Sequence, residues 1–136
     1  MSCDVTTVGW LEEEAVRRGA GGQVRAKQLH VGGAFHCARM ATAKEALAEA
    51  LAAVPISMPR VPVISNVTGA PYESAEQIRA LLPEQMVSGV QWQGTMERLL
   101  ALQPGRYVET GPGRQLRAML RKMDAAAFQA CECATV

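Results

Sequence analysis

The stretch from His36 to Val54 constrains the fold more than any other part of this sequence. It is rich in alanine, the residue of highest helix propensity, and its apolar side chains recur at the spacing of one helix face. Two glycines precede it and Pro55 follows it, so the sequence predicts a long helix that begins at a glycine-rich loop and stops at a proline. The predicted apolar face consists of Met40, Ala43, Leu47, Ala50, Leu51 and Val54.

Short segments that favour strands alternate with further helical segments along the chain. Strands that alternate with helices of about ten or more residues indicate an α/β fold with parallel strands. Only three strands are visible and the first lies far from the others, so we expect part of a larger sheet. The predicted strands are 23–31, 60–66 and 106–109, and the predicted helices are 8–18, 36–54, 74–82, 91–102 and 116–123.

Composition excludes several classes of protein. Of the 136 residues, 49% are hydrophobic, and the net charge is +1, so neither disorder nor nucleic-acid binding is expected. The apolar runs are too short to span a membrane, and the first residues lack the basic and apolar regions of a signal peptide. We therefore expect a soluble intracellular protein.

The four cysteines are expected to be free thiols. Their spacing is irregular, and a chain of this length stabilises itself by burial, so a disulfide framework is not predicted. Cys131 and Cys133 have no neighbouring histidine, so no metal site is predicted there. The residues from Asp124 onward are mostly small or polar, and we expect this segment to fray.

No complete catalytic constellation occurs in the sequence. The five serines include none in a Gly-x-Ser-x-Gly nucleophile elbow, and neither a P-loop nor a full Gly-x-Gly-x-x-Gly is present. Gly111-Pro112-Gly113 favours a tight turn, with an anion-binding helix start as the alternative. The chain therefore does not supply a whole catalytic site by itself.

His36 is the candidate catalytic residue. It lies at the junction between the glycine-rich loop and the predicted helix, a position that holds the backbone firmly and presents the side chain to a cleft. An imidazole titrates near neutrality, so it can accept and return a proton during acyl transfer. The alternative is a helix-start histidine whose polar atoms are satisfied by backbone groups.

Four segments of the chain, in order, resemble motifs of malonyl-CoA:acyl carrier protein transacylases. They resemble the family's histidine motif, its strand with an Asn-Val loop, its Val-Gln-Trp motif and its Glu-x-Gly-Pro-Gly segment. The resemblance covers residues 25–123. The matching segments are VGGAFHCARM (31–40), PVISNVTGAPY (62–72), QMVSGVQWQGTM (85–96) and RYVETGPGRQLRAML (106–120).

The resemblance implies roles for four residues. His36 is implied to be the general base that activates a serine and the acid that protonates the leaving CoA thiol, and the backbone carbonyl of Gln91 is implied to orient it. Phe35 matches a substrate-binding position associated with malonyl rather than branched groups. Asn66 is implied to lie near the substrate cleft, and a turn-forming asparagine is an equal alternative.

The resemblance also implies a domain plan. Residues 1–31 resemble the end of the family's small ferredoxin-like subdomain, residues 32–123 the C-terminal part of its hydrolase-like acyltransferase α/β domain, and 124–136 are expected to be a flexible tail. The start of the chain is expected to cut through that subdomain. The serine, the oxyanion-hole donors and the malonyl-binding arginine have no counterpart in this sequence.

The implied function is transfer of a malonyl group from malonyl-CoA to the phosphopantetheine thiol of acyl carrier protein in fatty acid biosynthesis. No bound cofactor is expected. This chain alone is expected to be inactive, and the missing N-terminal half is a possible partner. Two alternatives stay open: a non-catalytic module or scaffold that binds CoA or carrier protein, and one chain of a split acyltransferase. The family occurs in the bacterial cytoplasm, mitochondria and plastids, and the sequence does not choose among them.

Overall fold

The computed structural model describes Trp10, residues 13–14, 16–18 and 32–134. The chain divides into two compact units, Met1–Val90 and Gln91–Val136. In the segment 8–18, where the first helix is predicted, every described residue from Trp10 to residue 17 is helical. The predicted strand 23–31 lies outside the described residues, as does most of the predicted subdomain remnant at 1–31.

The helix predicted from His36 begins later than expected. A 3-10 turn covers Ala38–Met40, and helix α1 covers Ala41–Ala52. The start is delayed because His36 has a left-handed backbone (φ 59°), and Cys37 after it is extended (φ −150°, ψ 169°). Neither conformation can belong to an α-helix, so this part of the prediction is wrong.

Helix α2, Ala75–Glu84, begins where the capping pattern predicts. The Ser74 hydroxyl accepts the backbone N–H of Gln77 at 3.0 Å, and the Gln77 side chain accepts the backbone N–H of Glu73 at 2.7 Å. These bonds satisfy two amides that otherwise lack partners at a helix start. Helix α2 packs against α1.

Residues 60–66 do not form the predicted strand. This segment makes a single antiparallel bridge, between Ile64 and Pro71, and the chain between them turns back on itself. Pro62 has no N–H to donate to a sheet, and the side chains of Val61 and Val63 are exposed, so a buried parallel strand is not favoured here.

The second unit contains a small parallel sheet. The elements of this unit are, in chain order, α3 (Trp92–Ala101), β1 (Tyr107–Thr110), α4 (Gln115–Met123), α5 (Ala125–Gln129) and β2 (Cys131–Ala134). Strands β1 and β2 are parallel, with Tyr107 opposite Cys131. The mixed helix and strand fold with parallel strands is therefore confirmed. Its core contains Met96, Leu120, Ala127 and Cys131, with Trp92, Leu99, Leu100, Tyr107 and Met123 packed against them.

The predicted tail after Asp124 is instead built into this unit. The Asp124 carboxylate caps α5 by accepting the N–H of Ala127 at 2.8 Å, and the Phe128 ring lies 4.3 Å from the guanidinium carbon of Arg117. Because Cys131 is buried in the core, the segment up to Ala134 is held by packing as well as by strand pairing. Among the described residues, no helix is long and apolar enough to cross a membrane.

Candidate functional site

The backbone of His36 adopts a conformation that non-glycine residues rarely occupy. Its φ of 59° is in the left-handed region, and only one other non-glycine residue of the described segments, Gln103, shares this property. Such a conformation costs free energy and persists where the surrounding structure imposes it, often at functional sites. The imidazole is exposed to solvent, so the strained loop presents the ring outward.

Contacts on both sides of His36 hold this loop in place. Cys37 is 5% exposed, and its thiol donates to the carbonyl of Ala34 at 3.2 Å. The ring of Phe35 lies against Gly33 so closely that a Cβ there would be 3.2 Å from the ring. A side chain at this position would therefore force the Phe35 ring to shift by a few tenths of an ångström.

One hydrogen bond fixes the imidazole of His36. Its Nδ1 lies 2.8 Å from the backbone carbonyl oxygen of Gln85. A carbonyl oxygen only accepts hydrogen bonds, so Nδ1 is the donor, and in the neutral form of the ring the lone pair is at Nε2. No described residue makes a hydrogen bond to Nε2. This is the arrangement needed for a general base.

The carbonyl that contacts His36 is not the predicted one. The resemblance implies the orienting role for the Gln91 carbonyl, whereas the Gln85 carbonyl lies at Nδ1. The Gln91 carbonyl accepts the N–H of Thr95 at 3.0 Å, where α3 begins. Gln85 is the C-cap of α2, and the last carbonyls of a helix lack intrahelical donors. That helix end after Pro83 is the signal in the sequence that would have pointed to Gln85.

The two predicted substrate-binding residues occupy different settings. Phe35 is next to His36 in the strained loop, and 47% of its surface is exposed. Asn66 is exposed in a tight turn, in which the Ser65 carbonyl accepts the N–H of Gly69 at 2.8 Å and the Ser65 hydroxyl accepts that of Val67 at 3.2 Å. The turn-forming alternative for Asn66 thus fits the structure.

In the second unit, the turn Gly111-Pro112-Gly113 leads into a helix start that is already occupied. The carboxylate of Glu109 accepts the backbone N–H groups of Leu116 at 3.1 Å and Arg117 at 2.9 Å. The Arg117 amide, aided by that of Leu116, holds the pKa of Glu109 below its usual value. The amides that an external anion would use are therefore taken by the protein's own carboxylate. Within the described residues, no group of three or more His, Cys, Asp and Glu side chains could hold a metal.

Comparison with known proteins adds independent information. The human mitochondrial malonyl-CoA-acyl carrier protein transacylase is 41% identical over 109 residues, which is 77% of this chain and 28% of the human protein. The malonyl-CoA-acyl carrier protein transacylase of Synechocystis is 35% identical over 98 residues, 72% of this chain and 33% of that protein. No family model matches the chain.

The fold of this chain is also similar to solved structures of such transacylases. The malonyl-CoA-acyl carrier protein transacylase of Coxiella burnetii superimposes with a TM-score of 0.77 at 28% identity, covering 96% of this chain and 39% of the other. A malonyl-transacylase solved in complex with a type II polyketide acyl carrier protein gives a TM-score of 0.72 at 31% identity. The superposition covers 90% of this chain and 38% of that one.

The sequence and the fold therefore indicate the same family. The chain belongs to the malonyl-CoA:acyl carrier protein transacylase family. It spans less than half the length of the relatives and structures that it matches.

Proposed function

We propose that this chain provides the histidine of a transacylase that moves a malonyl group from malonyl-CoA to the phosphopantetheine thiol of acyl carrier protein in fatty acid biosynthesis. The observation that carries the proposal is the hydrogen bond between Nδ1 of His36 and the Gln85 carbonyl, 2.8 Å long. It leaves Nε2 of the same ring as a base in an exposed, strained loop. A serine nucleophile from outside this sequence completes the reaction.

In the first half of the reaction, Nε2 of His36 takes the proton of the serine hydroxyl. The oxygen then attacks the thioester carbonyl of malonyl-CoA, and the tetrahedral intermediate expels the CoA thiolate. His36 returns the proton to this sulfur, so a malonyl-serine ester and free CoA thiol are formed. The ring cycles between neutral and protonated states while the Gln85 carbonyl keeps Nδ1–H in place.

In the second half, His36 takes the proton of the phosphopantetheine thiol. The sulfur attacks the ester carbonyl, and the serine oxygen leaves with the proton from the imidazolium. A carbonyl partner suits this cycle because it fixes the tautomer without adding a full negative charge, unlike the aspartate of a Ser-His-Asp triad.

Phe35 is proposed to restrict the acyl group. Phe35 immediately precedes His36 in the strained loop, and its ring lies against Gly33. A ring at this position leaves little room for a methyl group on the α-carbon of the substrate, which favours malonyl. The resemblance assigns Asn66 to the cleft and the Gln91 carbonyl to orienting His36. The bond from His36 Nδ1 to the Gln85 carbonyl is the reason we propose Gln85 for that orienting role. No cofactor is proposed.

The finer description of the fold is also a proposal. The parallel pair β1 and β2 is inferred to be part of the family's hydrolase-like acyltransferase domain, and residues 1–31 a remnant of its small ferredoxin-like subdomain. Acyl carrier protein is proposed as the partner, supported by the relative that was solved in complex with its carrier protein.

A chimera tests the function. Residues 32–134 of this chain replace the matching segment of the Escherichia coli transacylase, which is 34% identical over 116 residues. Transfer of radiolabelled malonyl from CoA to purified holo-carrier protein is measured. We expect transfer by the chimera, and a loss of at least about a hundredfold on His36→Ala, the range of general acid–base catalysis.

The controls separate catalysis from folding. Arg60→Ala in the chimera changes an exposed cation outside the proposed site. The Arg60 variant should retain transfer. A chimera that folds, binds carrier protein and transfers equally well with and without His36 would refute the role of the base, and binding without any transfer would favour the scaffold alternative.

A further inference from the structure

We propose that Lys44 and Glu84 are positioning residues that hold the Gln85 carbonyl against His36. Their ion pair joins Nζ of Lys44 to Oε1 of Glu84 at 2.6 Å. The inference rests on the proposed role of His36 as the base, and it adds two residues that no motif of the sequence singles out.

The ion pair connects the two segments that the histidine bond also connects. Lys44 lies in the first turn of α1, directly after the strained loop that carries His36. Glu84 is the last residue of α2 and is covalently joined to Gln85. A bond between these side chains therefore fixes the distance between the histidine loop and the carbonyl that must meet it.

The turn after α2 leaves the Gln85 carbonyl aimed at the histidine. The Pro83 carbonyl accepts the N–H of Met86 at 3.0 Å, and the Glu84 carbonyl accepts those of Val87 and Ser88, both at 3.1 Å. Within the described segments, the bond that the Gln85 carbonyl accepts comes from His36. Helix ends fray readily, so this geometry needs an external support.

The positions of the two charges are explained by their pairing with each other and not by the stability of the helices that carry them. A lysine in the first turn of α1 and a glutamate at the end of α2 each oppose the dipole of their own helix. At the other end of α1, Arg79 of α2 donates to the carbonyls of Leu51 and Val54. Side-chain contacts thus join α1 and α2 at both ends of α1. The Lys44–Glu84 ion pair is the contact at the end nearer His36 in the sequence.

Nitrogen-15 NMR of the His36 ring in the purified full chain tests the proposal without any catalysis. His30→Gln leaves a single imidazole, and the spectrum at about pH 8.5 reports which nitrogen of the neutral ring is protonated. We expect the Nδ1-protonated form to predominate, with its ratio to the other tautomer falling about two- to fivefold in Lys44→Met and in Glu84→Gln, as for a partly exposed ion pair.

The charge swap makes the test decisive. Lys44→Glu combined with Glu84→Lys restores the pair and should restore the tautomer ratio, while each single reversal should lower it. Glu132→Gln breaks another 2.6 Å ion pair, with Arg106 in the second unit, and should leave the ratio unchanged. Far-UV circular dichroism confirms folding of each variant.

Two results would overturn the proposal. Folded single variants that keep the parent ratio would show that the ion pair does not position the carbonyl, and so would a swap that fails to restore a lowered ratio. If the single neutral variants do not fold, the charge swap carries the test, and a folded swap with a lowered ratio would overturn the proposal. A normal NMR result with no malonyl transfer by the chimera would instead count against the proposed function alone.

Discussion

The backbone amide of Arg117 donates to the carboxylate of Glu109 at 2.9 Å, so a side chain from β1 caps the start of α4. The amide of Leu116 donates to the other carboxylate oxygen, Oε1, at 3.1 Å. The Cys133 thiol of β2 lies 3.9 Å from Oε2, the oxygen that accepts from Arg117. Three elements of the second unit therefore meet at one buried carboxylate. Amide dipoles at a helix N-terminus stabilise its negative charge.

This arrangement predicts how stability depends on pH. The amide bonds lower the pKa of Glu109 in the folded chain, so the unfolded chain binds its proton first as pH falls. The stabilisation is complete above the ordinary carboxyl value of about 4.3 and is lost as pH falls through the lowered folded value. Glu109→Gln should make the urea midpoint less dependent on pH between about 6 and 3.

The control for this measurement is Glu97→Gln, a change to an exposed carboxylate on α3 that accepts a bond from the Gln93 side chain. It should leave the acid dependence of the midpoint in place. Equal slopes for Glu109→Gln and the parent chain would show that the capping bonds do not stabilise the ionised carboxylate.

The core of the second unit predicts a contrast between two leucines. Leu120 is 2% exposed and packs in the cluster with Met96, Ala127 and Cys131, whereas Leu102 is 71% exposed. Leu120→Ala removes buried methyl groups and leaves a cavity, so the free energy of unfolding should fall by about 2–5 kcal/mol. Leu102→Ala should change it by less than about 0.5 kcal/mol. Urea denaturation of both variants measures this, and equal effects would contradict the position of the core.

The sequence predicts the helices of this fold better than its strands. The cap at Ser74 and the apolar spacing of Trp92, Met96 and Leu99 are local signals, and the helices form where those signals lie. Strand β2 depends on a distant partner: its residues Cys131–Ala134 are not β-branched, and they become a strand because they pair with β1. Local propensity therefore misses it, and for the same reason it overestimates residues 60–66.

The candidate site also has features that the local sequence pattern predicts and features that it does not. His36 is predictable because a glycine-rich loop and a helical segment flank it, and family motifs surround it. Its backbone strain and its bond to Gln85 are not predictable from local pattern, because they depend on how a helix end far along the chain meets the loop. The resemblance implies the orienting role for Gln91, whereas the carbonyl that contacts Nδ1 in the folded chain is that of Gln85.

Arg79 provides a further test of how the first unit is held together. Its guanidinium donates to two carbonyls at the end of α1, a geometry that a lysine ammonium cannot reproduce. Arg79→Lys should lower the free energy of unfolding by about 1–2 kcal/mol, the loss of one charged hydrogen bond. Arg60→Lys, at an exposed position, should have almost no effect. Chemical denaturation compares them, and an unchanged Arg79→Lys would show that these bonds do not stabilise the pair of helices.

The cysteines should differ in reactivity according to their burial. Burial raises the pKa of the Cys131 thiol, with the neighbouring Cys133 adding to the effect, so less of it is present as the reactive thiolate at a given pH. Cys37 is also buried, whereas Cys133 is half-buried. A short pulse of iodoacetamide at about pH 8, followed by fragment-ion mapping, should label Cys133 several-fold faster than Cys131 or Cys37. In urea the three rates should converge, because unfolding removes the protection. Native labelling of Cys131 as fast as that of Cys133 would mean that the end of the chain leaves the core, as the sequence alone predicts for a flexible tail.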